Sequence, residues 1–351
     1  MEVDYLIVGQ GIAGTMLSYY LLQQSNTVTI IDNYNPSSAS NIASGVINPI
    51  TGRRFVRTWM IETLMPFAVN AYRALEKELN ISLIQQTNLL DFHSTPQMQL
   101  AFTNQLPTET EYLRVPENSL QWKKYFNYPF GVGETHPTWL VNLQLLIQTW
   151  RKKLSTQQLL IAEHFSIEAL QIHPSYIQYQ GIQAKAIIFC NGTQAVNLPY
   201  FQKLPFAPNK GEALILAIQQ LPRQHIYKQG LSLVPWQSNL WWAGSSYEWS
   251  YEHANPTEIF RQKTLQQLQQ WLQLPFEIKA HVAAERPATL ERRPFIGMHP
   301  YFPQIGIFNG LGTKGCSLAP YFAKVFSEHL KYGQPLIPEV AIHRFHKILA
   351  P

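Results

Sequence analysis

Six residues near the amino terminus, Gly9-Gln10-Gly11-Ile12-Ala13-Gly14, have the types and spacing that hold a phosphate bridge. Gly9 permits a tight turn, Gly11 lets backbone approach a pyrophosphate with no Cβ in the way, and Gly14 lets a helix pack close on a strand. A helix opening there offers unpaired N–H groups and the positive end of its dipole. The apolar run Tyr5-Leu6-Ile7-Val8 leads into this turn, and a helical pattern of Met16, Leu17, Tyr20 and Leu21 follows it. A second run, Val28-Thr29-Ile30-Ile31, ends on Asp32, whose carboxylate is expected to accept hydrogen bonds from ribose hydroxyls. Strand, glycine turn, helix, strand and acid, in that order, predict a dinucleotide site; a glycine triplet alone would be weak evidence.

The whole chain must supply the elements around this site. At 351 residues it exceeds the size at which one core keeps growing, so two lobes are expected. Hydrophobic residues make up 46%, enough for a large core, and charged residues only 14%. No run approaches the ~18 apolar residues of a membrane span. The first strand begins so close to Met1 that no room is left for a signal peptide. Cys190 and Cys316 cannot form a disulfide framework and read as free thiols, so a cytoplasmic location is expected. A net charge of +5 suits an anionic cofactor, an acidic substrate or nucleic acid. No Lys/Arg block marks a dedicated nucleic-acid patch, and no His/Cys/Asp/Glu grouping has metal spacing, so no metal site is proposed.

Along the chain, a small-residue loop at 33–51 precedes a helical stretch at 59–79. Residues 81–130 are irregular, broken by Pro96, Pro107, Pro116 and Pro129. An amphipathic helix is expected over 138–154, opened by His136-Pro137-Thr138, and strands over 159–167 and 176–179. The run Lys185-Ala186-Ile187-Ile188-Phe189 reads as a buried strand ending on Cys190-Asn191-Gly192. A helix is expected over 256–272 and a closing helix over 317–330. The resulting class is α/β: a doubly wound, Rossmann-like dinucleotide-binding domain from 1–80, 137–200 and 281–351, and an α+β substrate domain from 81–136 and 201–280 on a mixed or antiparallel sheet. A dinucleotide half with pieces at both ends of the chain suggests a flavin more than a nicotinamide.

Four separated segments resemble the FAD-dependent oxidases of the D-amino-acid oxidase type, which include glycine oxidase and sarcosine oxidase. They are the opening GQGIAG with Asp32; Ser40-Asn41-Ile42-Ala43-Ser44-Gly45-Val46-Ile47-Asn48-Pro49; IIFCNG; and the block Glu285-Arg286-Pro287-Ala288-Thr289, Arg293-Pro294-Phe295-Ile296-Gly297 and Asn309-Gly310-Leu311-Gly312-Thr313-Lys314-Gly315-Cys316-Ser317-Leu318-Ala319-Pro320. The last stretch is also similar to the FAD domain of the bifunctional enzyme that completes a wobble-uridine modification in bacterial tRNA. The resemblance implies non-covalent FAD, because Ala284 stands where sarcosine oxidases tether flavin through a cysteine. It implies FAD contacts from Gly9, Gly11, Ile12, Ala13, Gly14, Asp32, Asn33, Ser40, Ala43, Ser44, Gly45 and Ile47. Ile167 would meet the adenine from a strand, and Asn191 and Gly192 would pass the pyrophosphate. Leu311, Gly312, Thr313, Lys314, Gly315, Cys316 and Ser317 would bring N–H groups to the flavin's N1 and O2 side. Glycine oxidase has an arginine where Thr313 stands here.

The implied reaction is oxidation of a C–N bond in an amine or amino acid, with electrons passing to oxygen or a quinone. Its need is an anchor for the substrate carboxylate. Arg286 is the first candidate, because a guanidinium grips a carboxylate with two parallel bonds; the alternative is a structural pair with Glu285 or Glu291. Arg54 and Arg57 faintly echo an Arg-x-x-Arg near flavin and substrate, though solvated arginines at a helix start read equally well. Tyr247 is a pocket-facing candidate whose alternative is an interface aromatic. Competing readings are a tRNA wobble-uridine oxidase, a hydroxy-acid oxidoreductase and a non-catalytic flavoprotein; nucleic acid is disfavoured but open.

Overall fold

Apolar runs long enough to be buried on both faces build the first sheet. The computed structural model describes residues 1–350. Strands Leu160–Ile161, Val28–Ile31, Glu2–Val8, Ile182–Phe189 and Ile305–Asn309 lie side by side and parallel. Tyr5 and Ile7 point to one face and Leu6 and Val8 to the other, and all four are buried. Helices Ile12–Gln23, Ile61–Leu79, Leu143–Thr156 and Gly315–Tyr332 cover the first face. The second face packs on Phe201, Leu204 and Leu349. Strands Leu170–Ile172 and Ile177–Tyr179 extend this sheet in antiparallel fashion.

The second sheet runs in the order Phe276–Arg286, Asn209–Ile218, Trp241–Gly244, Leu231–Pro235, His225–Gln229, Ile84–Phe92, Val132–Val141, Val46–Ile47. It is mixed, because His225–Gln229 runs parallel to Ile84–Phe92 while the other pairs are antiparallel. Alternation sorts its side chains. Leu214, Leu216, Tyr227, Leu233 and Trp241 face an aromatic core containing Phe92, Phe126 and Trp271. Ala213, Ile215, Ile226, Val234 and Trp242 face the opposite way with Leu89. Most of that second face becomes a cavity wall.

Two expected boundaries fall inside strands. Val132–Val141 crosses position 137 and Phe276–Arg286 crosses position 281, and both pair within the second sheet. The helix expected from 138 starts at Leu143. Its cap is Asn142, whose Oδ1 accepts the Leu145 N–H at 3.1 Å. His136-Pro137-Thr138 lies in the preceding strand, where Thr138 pairs with Thr87.

Candidate active site

The glycine turn behaves as its spacing requires. Gly9 has φ +95°, and an added Cβ would lie 2.7 Å from the Cys190 carbonyl. A Cβ on Gly14 would lie 1.9 Å from the Gly9 carbonyl, so helix Ile12–Gln23 sits against the strand before it. The Ser40 hydroxyl accepts the Ile12 N–H at 3.1 Å. The second glycine turn, Gly310 at φ +77° and Gly312 at φ +53°, feeds helix Gly315–Tyr332. These turns adjoin: a Cβ on Gly315 would stand 3.2 Å from Ile12 Cγ2. Two helix N-termini, neither capped by the side chain of its own N-cap residue (Gly11 and Lys314), therefore open on one space.

That space is a cavity of about 1380 Å³ running from Asp32 past both turns to the inner face of the second sheet. Its walls include Gly9, Gly11, Ile12, Ala13, Asp32, Asn33, Ser40, Ala43, Ser44, Asn191, Gly192, Leu311, Gly312, Thr313, Lys314, Gly315, Cys316, Arg57, Tyr247 and Arg286. Gly14, Gly45, Ile47 and Ser317 stand behind this lining. A Cβ on Gly45 would lie 1.9 Å from the Val141 carbonyl, so this glycine serves strand packing. Ile167 departs from expectation. The strand ends at Ile161, Ile167 opens a 3-10 turn packed on the second core face, and Glu163, His164 and Phe165 line the cavity instead.

Asp32 is already heavily engaged. Its Oδ1 accepts the Gln10 N–H at 3.0 Å, and its Oδ2 accepts the Tyr34 N–H at 2.9 Å and Arg151 at 2.5 Å. Arg151 also donates to the Asp32 carbonyl at 2.9 Å and stacks on Tyr34. With both in-plane positions on Oδ2 filled, one on Oδ1 remains for a ribose hydroxyl, fewer than expected. Sequence reasoning missed Arg151, and no local pattern marks it.

Arg286 ends strand Phe276–Arg286. One amino group donates to Asn209 Oδ1 at 2.8 Å and to the Ser246 carbonyl at 3.1 Å. The guanidinium lies 4.6 Å from the Tyr247 ring centroid, and its other amino group covers Gly211, where a Cβ would be 1.7 Å away. Neither expected carboxylate reaches it. Glu285 accepts the Tyr251 hydroxyl at 2.7 Å, and Glu291 pairs with Arg344 at 3.1 Å. Burial pulls the Arg286 pKa below its ordinary value, opposed by Tyr247, yet an arginine so shifted stays charged. Lys314 is pulled down to about 8, chiefly by burial, with Cys316 opposing the shift and the Lys228 charge adding weakly to it.

The segment carrying Tyr247 is held to strand Asn209–Ile218 by buried charges. Lys210 lies 3.1 Å from both Glu212 and Glu248, and Glu212 accepts the Thr257 N–H at 2.7 Å. Tyr247 and Trp249 remain exposed at the mouth, whereas Trp241 is buried in the aromatic core.

The other two arginines are placed differently. Arg57 contacts Glu109 at 2.7 Å and Glu62 at 2.6 Å and stacks on Tyr112, so its charge is committed at the rim. Arg54 is exposed on the turn between strands Ile50–Thr51 and Val56–Arg57 and lies outside the lining. Cys190 and Cys316 are free, buried thiols. Among the described residues no three His, Cys, Asp or Glu side chains gather as a metal group, and no helix is long and apolar enough to cross a membrane.

With this geometry in place, comparison with known proteins defines the class. Residues 4–329 match the DAO family, FAD dependent oxidoreductase, and the chain belongs to it. It is similar in fold to glycine oxidase from Bacillus cereus ATCC 14579, at TM-score 0.81 and 13% identity over 95% of this chain and 96% of that one. Iminodiacetate oxidase from Chelativorans sp. BNC1 follows the same fold, at TM-score 0.75 and 18% identity over 96% and 99% of the two chains. A curated Bacillus subtilis protein, the uncharacterized oxidoreductase YurR, is 36% identical over 56 residues. That match spans 16% of this chain and only 15% of the relative's length.

The residues present fit FAD. Two oxygens in the cavity walls, Asn41 Oδ1 and Asn191 Oδ1, are buried without a hydrogen-bond partner, and the amides of Gly11, Leu311 and Thr313 donate to no acceptor among the described residues. The protein is an FAD-dependent oxidoreductase. Ala284, buried on the cavity wall, offers no thiol for a covalent tether.

Proposed function

We propose that this enzyme oxidises the C–N bond of an amino acid or N-substituted glycine. The observation that carries this is Arg286: a guanidinium on the cavity wall, steadied by Asn209, Ser246 and Tyr247, with no carboxylate partner among the described residues. An arginine so held is prepared for a ligand's carboxylate. FAD in the groove supplies a two-electron acceptor for hydride. Nζ and N–H groups at Lys314, Gly315 and Cys316 put positive potential beside the inner helix terminus, where negative charge is stabilised. Arg286 orients the donor, the stacked Tyr247 limits its motion, and the apolar wall of Leu89, Ile226 and Val234 keeps water away from the reacting carbon. Glu285 is bonded to Tyr251, so the adjacent carboxylate offers no free base, and the amine enters neutral. The oxidised imine then takes up water and releases amine and oxo acid.

Anaerobic mixing with a panel of amino acids, N-substituted glycines and hydroxy acids tests this. Bleaching of the flavin spectrum by carboxylate amines is expected. Arg286→Ala should retain FAD and raise KM for those donors roughly 100-fold. Bleaching by none of the amines would reject the reading.

A second reading is favoured by the exposed rings of Tyr247 and Trp249 at the mouth: the same oxidation on the carboxymethylaminomethyl group of a tRNA wobble uridine. Binding to tRNA that falls steeply with salt would support it, and no retention at low salt would remove it.

A further inference from the structure

The inner face of the second sheet carries the apolar side chains of Leu89, Ile226, Val234, Trp242 and Ala213, interrupted by Asn209 and Arg286 and, on other strands, by Lys228 with Ser232 paired opposite it. On strand His225–Gln229, alternation sends Ile226 and Lys228 into the cavity and Tyr227 into the aromatic core. Lys228 donates to Asp91 Oδ2 at 2.6 Å, across a register pair of the parallel strands. Asp91 is 3% exposed, and its Oδ1 has no partner.

As a device for stability this pair is poorly made. A buried ion pair rarely outperforms an apolar pair of similar volume, and an unpartnered carboxylate oxygen adds cost. As a holder it makes sense. One N–H of the ammonium is spent on Asp91, and two remain with no other side-chain or backbone partner among the described residues. Lys314 lines the same cavity from the turn before helix Gly315–Tyr332.

Arg286 lies away from this pair. Its strand and that of Lys228 are separated by three others, Asn209–Ile218, Trp241–Gly244 and Leu231–Pro235. Pairing across these strands puts Lys228 level with Val282, four residues before Arg286, so at about 4.8 Å per strand and about 3.3 Å per residue the backbones are roughly 23 Å apart before the side chains reach inward. Arg286 and Lys228 are therefore two separated cationic points on the same wall, with Ala213, Trp242 and Val234 on the strands between them.

We propose that Lys228 forms a second anion subsite, and that the physiological donor is an elongated amine with two acidic groups. One carboxylate sits on Arg286, and the other acidic group, several bonds away, sits on Lys228. This rests on the amine-oxidation reading above and names its substrate class.

The test titrates the holoenzyme's flavin spectrum with non-reacting ligands: acetate, then malonate, glutarate, adipate and suberate. Affinity should climb with chain length, and the best dicarboxylate should bind at least about tenfold tighter than acetate. Lys228→Met should lower that preference about tenfold, and Lys228→Arg should keep most of it. Equal affinity for acetate and every dicarboxylate in the wild-type enzyme overturns the proposal, as does a length preference untouched in Lys228→Met. Because this readout needs no turnover, it is separate from the donor panel. Amine bleaching without dicarboxylate preference removes the subsite alone; bleaching by no amine removes the parent reading and this one with it.

Discussion

The two ends of the cavity are built on different principles. The groove around Gly9 and Gly315 presents backbone: amides at two helix N-termini, brought together by glycines whose missing Cβ atoms leave the room. The wall around Arg286 and Lys228 presents side chains, each projected from a different strand and steadied by partners far away in sequence. A backbone surface serves a ligand common to a whole family. A side-chain surface can be exchanged residue by residue, so substrate choice belongs there.

Damage to the groove should have the largest effect. Gly14→Ala forces a Cβ against the Gly9 carbonyl, now 1.9 Å from its ideal position. We expect a protein purified without visible flavin absorbance and destabilised by about 3 kcal/mol, read by thermal unfolding. Full flavin content would contradict the close helix–strand packing.

On the wall, Gly211→Ala should act as a side-chain lesion only. The new Cβ displaces the Arg286 guanidinium, 1.7 Å from its ideal position. KM for carboxylate donors should rise roughly 10- to 100-fold while flavin content stays at the wild-type level. Loss of flavin here would erase the distinction between the two ends.

A smaller effect probes a side chain that the groove borrows from far along the chain. Arg151→Met frees Asp32 from its clamp, and FAD dissociation followed by flavin fluorescence should show affinity about tenfold weaker. An unchanged constant would mean that the backbone donors of Gln10 and Tyr34 suffice to hold Asp32.

The mildest change is with pH. Lys314, lowered to about 8 chiefly by burial, is charged below that value and neutral above it. Dicarboxylate affinity should therefore decline only a few-fold as pH rises through about 8, because the lost charge lies beside the Arg286 and Lys228 subsites and not in them. Affinity that grows with pH would show that the Lys314 charge does not reach the bound anion.

Much of the groove was legible beforehand because its parts are close in the chain or tied to recognisable turns. Gly9, Gly11, Gly14 and Asp32 fall within one strand–helix–strand unit. The turn at 310–315 announces itself by its glycines. Ile167 was misplaced because a two-residue strand, Leu160–Ile161, leaves too little pattern to show where it stops. Arg57 has the spacing of an anchor, yet Glu62 and Glu109 take its charge, one of them from 52 residues away. Arg151 meets Asp32 across 119 residues, and Lys228 meets Asp91 across 137.

Order along the chain was sufficient to specify a dinucleotide groove, since turn geometry and helix N–H donors follow from neighbouring residues and the absence of side chains. Which cation stays free for a ligand was settled by folding alone. Arg54, Arg57 and Arg286 have the same chemistry, and tertiary packing separates them: Arg54 is exposed outside the lining, Arg57 is paired with Glu62 and Glu109, and Arg286 lies on the cavity wall with no carboxylate beside it. A side chain's role depends on which other groups compete for it, and that competition exists only once distant strands are in register.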